Sequence, residues 1–299
     1  MQSIKRFLLV FGVNIGIIVM LSLLVNLLSS YFGISLTGSS YNSLMVFALI
    51  FGFGGAYINL LISRRMAKRM YKIELIDATV SDPRLRAVYQ TVQQIADNNQ
   101  IRMPEVGIYQ DANPNAFATG SSANSSLVAV SSGLLHAMTD EEVKGVVGHE
   151  MAHILNGDMV TMTLMQGVLN TFVIFISRVL AHIISARMSD NEENSGAPYY
   201  THYIITMVLE IGLGILSSIL LMYYSRRREF EADRGSTVYL GSKQPMIAAL
   251  QKLQKLSSHT AYPTDEFATM KISGRTASFA SLFSSHPPLQ DRIEALQQD

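Results

Sequence analysis

The sequence predicts a mainly α-helical membrane protein, in which four hydrophobic helices are joined to a soluble α+β part with a small sheet. Three observations predict it. Apolar residues make up 48% of the 299 positions and gather in four long runs. Basic residues cluster at one end of those runs, and the chain between them has the patterning of ordinary globular protein. The 23 basic and 23 acidic residues cancel, and there is no basic aromatic groove, which argues against a nucleic-acid partner. Cysteine is absent, so disulfides, thiolate ligands and cysteine nucleophiles are excluded, as expected of a reducing compartment.

Residues 1–70 hold the first two runs, 8–28 and 44–62. Both lack charge and are long enough to cross roughly 30 Å of hydrocarbon as helices. The basic start and long first run, with no small-residue cleavage pattern after it, read as a retained anchor. The third and fourth runs, 160–184 and 203–224, form a hydrophobic hairpin. Lys5 and Arg6, the group Arg64, Arg65, Lys68 and Arg69, and Arg226 to Arg228 all flank the runs on one side. That side is expected to be cytoplasmic. The joining segments 29–43 and 186–202 carry no basic excess and are expected to face outward.

Arg178 in the third run and Glu210 in the fourth fall at similar depth in an antiparallel hairpin, where an ion pair would make both tolerable. The alternative is a polar path for substrate. A hairpin that does not fully span is also open.

The soluble part combines 71–159 with 225–299. Apolar spacing through Leu85, Val88, Val92 and Ile95 predicts a helix over Pro83–Asn98. Glu105–Tyr109 and Ser126–Val130 read as short strands, with a loop or further strand between. Thr139 and Glu142 fit a capping box that opens the next helix. Segments 188–198 and 257–280 are expected to be loops.

That helix contains His149-Glu150-Met151-Ala152-His153. Residues four apart share a helix face, so two imidazoles can converge on one metal ion, while Glu150 sits about 100° away, suited to a water on that metal. Zinc fits this donor set, and the chemistry expected is amide hydrolysis with Glu150 as general base. A five-residue motif can also arise by chance on a packing helix. A catalytic zinc needs a third protein ligand. After the fourth run comes Arg228-Glu229-Phe230-Glu231-Ala232-Asp233. If helical, Glu229 and Asp233 share a face, so Glu229 can complete the metal set and Asp233 can orient a ligating histidine. Glu231 points away and suits a solvated helix start.

With these residues in view, the chain resembles the HtpX family of bacterial membrane metalloproteases, relatives of the CAAX prenyl proteases, over essentially its whole length. The resemblance rests on the two N-terminal runs, Asn115-Ala116-Phe117-Ala118, the His149 motif, the hairpin, Glu229 to Asp233, and Ser285-His286-Pro287-Pro288. It implies a gluzincin-like catalytic domain facing the cytoplasm from the inner membrane, with one zinc on His149, His153 and Glu229. It also implies Glu150 as base, Asp233 behind a ligand, and Asn115 to Ala118 as an edge strand that pairs with substrate. His286 and Arg292 are candidates for oxyanion binding or for orienting the site, and His286 has a purely structural alternative. The implied role is quality control, cleaving misfolded or damaged membrane proteins under stress, with polypeptides and the bilayer as partners. Two other readings stay open: a protease with one dedicated substrate, and a non-enzymatic protein with a structural metal.

Overall fold

A computed structural model describes residues 39–189, 199–259 and 284–298, with part of 16–31. Most of the first apolar run, and most of the two expected loops, lie outside the described residues. In chain order the elements are α1 (Ser39–Met70), β1 (Glu74–Ile76), α2 (Pro83–Asn98), β2 (Glu105–Tyr109), β3 (Ala116–Ser122), β4 (Ser125–Ser131), α3 (Ser132–Ala137), α4 (Asp140–Asn156), α5 (Asp158–Ser189), α6 (Tyr199–Leu240), α7 (Gln244–His259) and α8 (Leu289–Gln298). They divide into two compact units, residues 1–58 with 163–220, and residues 59–162 with 221–299.

The first unit is helical. Among the described residues, α1, α5 and α6 are the helices long and apolar enough to cross a membrane, and they contain the second, third and fourth apolar runs. Phe47, Ile50 and Phe51 on α1, and Ile204, Val208 and Ile211 on α6, are exposed. Exposed apolar rows of this length suit contact with lipid. Inside, Leu21, Ala48, Phe175, Val179 and Ile183 pack together. The Arg178 guanidinium donates to Glu210 at 2.6 Å and to the Ile174 carbonyl at 3.0 Å, and lies 5.3 Å from the Phe47 ring centre. The charges at matching depth therefore meet.

The second unit is built on a four-stranded sheet in the order β1-β2-β4-β3. β2 and β4 run parallel and the outer pairs antiparallel, which leaves β3 as an edge. The α2 helix begins where Asp82 accepts from the N–H groups of Arg84 and Leu85, satisfying donors that have no partner within the helix. Its Val88, Val92 and Ile95 join Val106, Val128 and Val130 of the sheet in one core. The α4 helix contributes Val143, Val147, Met151 and Ile154 to that core. It starts on the full Thr139–Glu142 capping box and ends at Gly157, whose φ of 73° is left-handed and free of steric cost only for glycine. A second cluster joins Met246, Ile247 and Leu250 of α7 to Leu289, Ile293 and Leu296 of α8.

Candidate active site

One face of α4 is spent on the core, which turns His149, Glu150 and His153 toward the C-terminal part of α6. The two helices approach closely because each offers a glycine. A Cβ on Gly148 would lie 2.6 Å from Ser236 Oγ, and one on Gly235 would lie 2.7 Å from Ala152 Cβ. Both are closer than real contacts allow. Ser236 Oγ ties the pair by donating to the Gly145 carbonyl at 3.0 Å. At this separation Glu229, one helical turn before Asp233, reaches both imidazoles.

Three side chains converge. His149 Nε2 and His153 Nε2 are 3.2 Å apart, with Glu229 Oε2 3.3 Å from the first and Glu229 Oε1 3.4 Å from the second. Those spacings match the edge of about 3.3 Å in a tetrahedron whose corners lie about 2.0 Å from a central zinc. The other nitrogen of each ring is committed. His149 Nδ1 donates to Asp233 Oδ1 at 2.9 Å, and His153 Nδ1 donates to Asp158 Oδ2 at 2.6 Å. Each carboxylate fixes the tautomer that leaves Nε2 bare toward the centre, the arrangement that metal-binding imidazoles adopt.

Two arginines hold these carboxylates. Arg292, buried on α8, donates through Nε to Asp233 Oδ2 at 2.7 Å and through Nη2 to Oδ1 at 2.6 Å. Arg228 Nη1 lies 3.6 Å from Asp158 Oδ2. Four carboxylates, Glu150, Asp158, Glu229 and Asp233, thus face two guanidinium groups, and with neutral imidazoles the cluster carries an excess of two negative charges.

The protonation preferences follow from that excess. Burial disfavours a charged His149, but the Asp233 and Glu229 carboxylates beside it outweigh that and push its pKa up to about 10. Burial likewise opposes protonation of His153, and the bonds to Asp158 and Glu229 prevail and raise it. A pocket that draws protons onto buried imidazoles is one that a divalent cation can neutralise instead. Burial also raises Glu150 above its ordinary carboxylate value, with the two imidazoles opposing the shift. Glu229 Oε2 is a further sign: His286 Nδ1 lies 2.8 Å away, yet among the described residues no donor meets that buried oxygen in hydrogen-bonding geometry. His149, His153 and Glu229 are the described group that could hold a metal ion.

These residues open onto a cleft of about 660 Å³. Asn115 to Ala118 form one wall, and Met246, Leu250 and Leu253 line it too. Asn115 bonds Ser131 twice, through its N–H to the hydroxyl and its carbonyl to the N–H, both at 2.9 Å. By the alternation of antiparallel pairing, Ala116 and Ala118 then turn their N–H and C=O groups to the open edge. Tyr71 and Phe117 pack with their rings tilted at 46° and ring centres 5.1 Å apart beside it. His286 is half exposed at the cleft, and Arg292 has its donors on Asp233, with Nη1 3.4 Å from Glu229.

A sequence model described as peptidase family M48 matches residues 83–299. The chain belongs to peptidase family M48. Family M48 membership makes it a metalloprotease, and its long apolar helices make it a membrane protein. It is 48% identical over 295 residues to "Protease HtpX" of Tolumonas auensis, a match covering 98% of this chain and 99% of that one. "Protease HtpX homolog" of Verminephrobacter eiseniae is 45% identical over 293 residues, covering 98% of each. Among solved structures, Ste24p of S. mikatae is similar in fold, with a TM-score of 0.59 at 19% identity, over 99% of this chain and 65% of that one.

The structure places His149, Glu150, His153, Glu229, His286, Arg292 and Asn115 to Ala118 around one cleft, with Asp233 behind His149 and with Glu231 apart and exposed. Asp158 and Arg228 were missed. Asp158 opens an apolar helix and reads as an N-terminal charge. Nothing local in the sequence signals that the turn at Gly157 folds it back onto His153.

Proposed function

We propose that this chain is a zinc-dependent endopeptidase of the bacterial inner membrane that cleaves misfolded or damaged membrane proteins from the cytoplasmic side. The observation that carries the zinc reading is the convergence of His149 Nε2, His153 Nε2 and the Glu229 carboxylate, with the two nitrogens 3.2 Å apart, one Glu229 oxygen 3.3 Å from the first and the other 3.4 Å from the second, and a further carboxylate behind each imidazole. The orientation rests on the basic residues beside the apolar runs. The parts are 1–70 with two spans, 71–159 and 225–299 as the catalytic domain, and the hairpin 160–224, giving four spans and a gluzincin-like core. Substrate class and stress role rest on similarity to proteins named HtpX.

When bound, zinc supplies Lewis acidity that polarises a carbonyl and acidifies water. The substrate backbone pairs with Ala116 and Ala118 on the β3 edge, so main-chain bonds supply affinity and sequence demands are low. Asn115 and Phe117 shape the wall. The Glu150 carboxylate takes a proton from the attacking water and delivers it to the leaving amine, and burial has raised its basicity for the first step. His286, at the mouth, donates to the developing oxyanion. Arg292 acts through Asp233, which keeps His149 Nδ1 occupied and Nε2 bare.

The deciding experiment replaces Glu150 with Gln in the full chain. The variant should retain one zinc per chain and lose on the order of 10²- to 10⁴-fold in cleavage of an unfolded membrane polypeptide. Undiminished cleavage by the variant would sink the proposed role of Glu150. Zinc-loaded wild-type protein that cleaves no unfolded polypeptide would sink the function.

A further inference from the structure

The cytoplasm-directed end of α1 carries more basic residues than its packing uses. Arg64 and Lys68 lie on the inner face and share one carboxylate, with Glu105 of β2 at 3.7 and 3.0 Å. That pair fastens the helix to the sheet. Arg65 and Arg69 lie on the outer face, exposed, and no carboxylate pairs with them among the described residues. Lys72 follows in the left-handed position after the helix, at φ 49°, where glycine is the easiest occupant, and it is exposed as well. Its conformation lets Ile73 N–H cap the Lys68 carbonyl at 3.1 Å.

The apolar neighbours on that outer face decide what it meets. Met66 is 48% exposed and Met70 69% exposed, interleaved with the two arginines, and they continue the exposed row of Leu61 and Ile62 from the apolar run. A face made for water would not alternate arginine with bare methionine. A face made for another protein would not be the direct continuation of a lipid-facing row. At 1.5 Å per residue, Arg65 falls about 5 Å beyond Ile62, within a headgroup layer roughly 5–7 Å thick, and Arg69 about 10 Å beyond it, from where its long side chain reaches back to that layer. Long basic side chains there reach phosphates while methionine settles at the acyl boundary.

We infer that Arg65, Arg69 and Lys72, with Met66 and Met70 between them, form a binding site for the headgroups of anionic phospholipids. It differs from a topology signal, which needs only basic residues near the helix end. Here the charge is sorted, two residues consumed by Glu105 and three presented outward. The next residue after Met70 is Tyr71, which lines the cleft, so an occupied site holds headgroups beside the substrate entrance.

The chain has no tryptophan, so a single reporter is free of background. Met66→Trp is introduced into the full-length Glu150→Gln chain, which removes any dependence on proteolysis, and the protein is reconstituted in phosphatidylcholine vesicles. Brominated phosphatidylglycerol should quench the reporter severalfold more strongly than brominated phosphatidylcholine at equal mole fraction. Each basic residue near an anionic surface contributes on the order of fivefold, so R65Q/R69Q/K72Q should abolish the preference. R65K/R69K should keep it, and rising salt should weaken it in the unsubstituted stripe, a reading that requires no charge variant to fold. Equal quenching by both lipids overturns the inference, as does a preference that survives the triple substitution or is indifferent to salt. No quenching by either lipid overturns it too, by showing a face covered by protein or water.

Discussion

Two arginine–carboxylate pairs, Arg178–Glu210 in the first unit and Arg292–Asp233 in the second, are put to different uses. In the helical unit, Arg178 and Glu210 meet once, at 2.6 Å, each about a third exposed, with an aromatic ring and a carbonyl for company. In the unit built on the sheet, Arg292 grips Asp233 through two nitrogens, both residues are almost fully buried, and Asp233 passes the restraint on to His149. The first pair ends in itself. The second is one link in a chain that ends at bare nitrogen lone pairs. An ion pair in an apolar setting removes a cost, whereas one with a spare acceptor lone pair can set the direction of a third group.

Breaking each pair should expose that difference. Asp233→Asn should have the largest effect, because it removes the carboxylate that Arg292 grips with two nitrogens, leaving only the single contact to Glu229, at a cost of up to about 3–5 kcal/mol, and frees the His149 ring. Zinc content and thermal midpoint should fall together, and a variant that keeps both would contradict the linkage. Asp158→Asn is expected to be milder. It removes the charged acceptor behind His153, and zinc affinity measured by chelator competition should drop about 10- to 100-fold with the fold intact. Unchanged affinity would mean that Asp158 only starts its helix.

Glu210→Gln should cost less, about 1–2 kcal/mol after discounting for its exposure, visible as a lower midpoint in detergent. Zinc content should be unchanged, and Arg178→Met with Glu210→Leu should recover most of the loss. A fall in bound zinc would show that the two pairs are not independent. A last test concerns pH. Because the folded-state pKa of His149 is raised from 6.5 to about 10, its protonation stabilises metal-free protein fully below the unfolded value, and that contribution disappears as pH rises through about 10. The midpoint of chelator-treated protein should decline across that window, and zinc-loaded protein should not share the decline. A flat profile for both would argue against a protonated His149 in the metal-free site.

What the sequence discloses divides along the same line. Local rules place α2 at Pro83–Asn98, because Asp82, Pro83 and the valine spacing are all short-range signals, and they find the capping box that starts α4. The Glu229 and Asp233 phase is also local, one turn on one helix. The unread elements are short, or lack a strong local signal. β1 has three residues and exists by pairing with β2, and α7 becomes a helix face only against α8. Asp158 and Arg228 belong to the same class. Their partners are set by the turn at Gly157 and by how closely α4 meets α6, and neither appears in any window of sequence.

That close meeting has a consequence for anyone wishing to make the enzyme sturdier. Replacing a helical glycine with alanine commonly gains up to about 1 kcal/mol, and Gly148 and Gly235 sit in mid-helix where such a gain looks available. At these two positions a single methyl group has nowhere to go. It would act as a wedge, spreading the helices that carry the imidazoles and Glu229, so that a sturdier helix would come with a metal triangle too wide to close. The missing methyl groups are what let the imidazoles and Glu229 come this close.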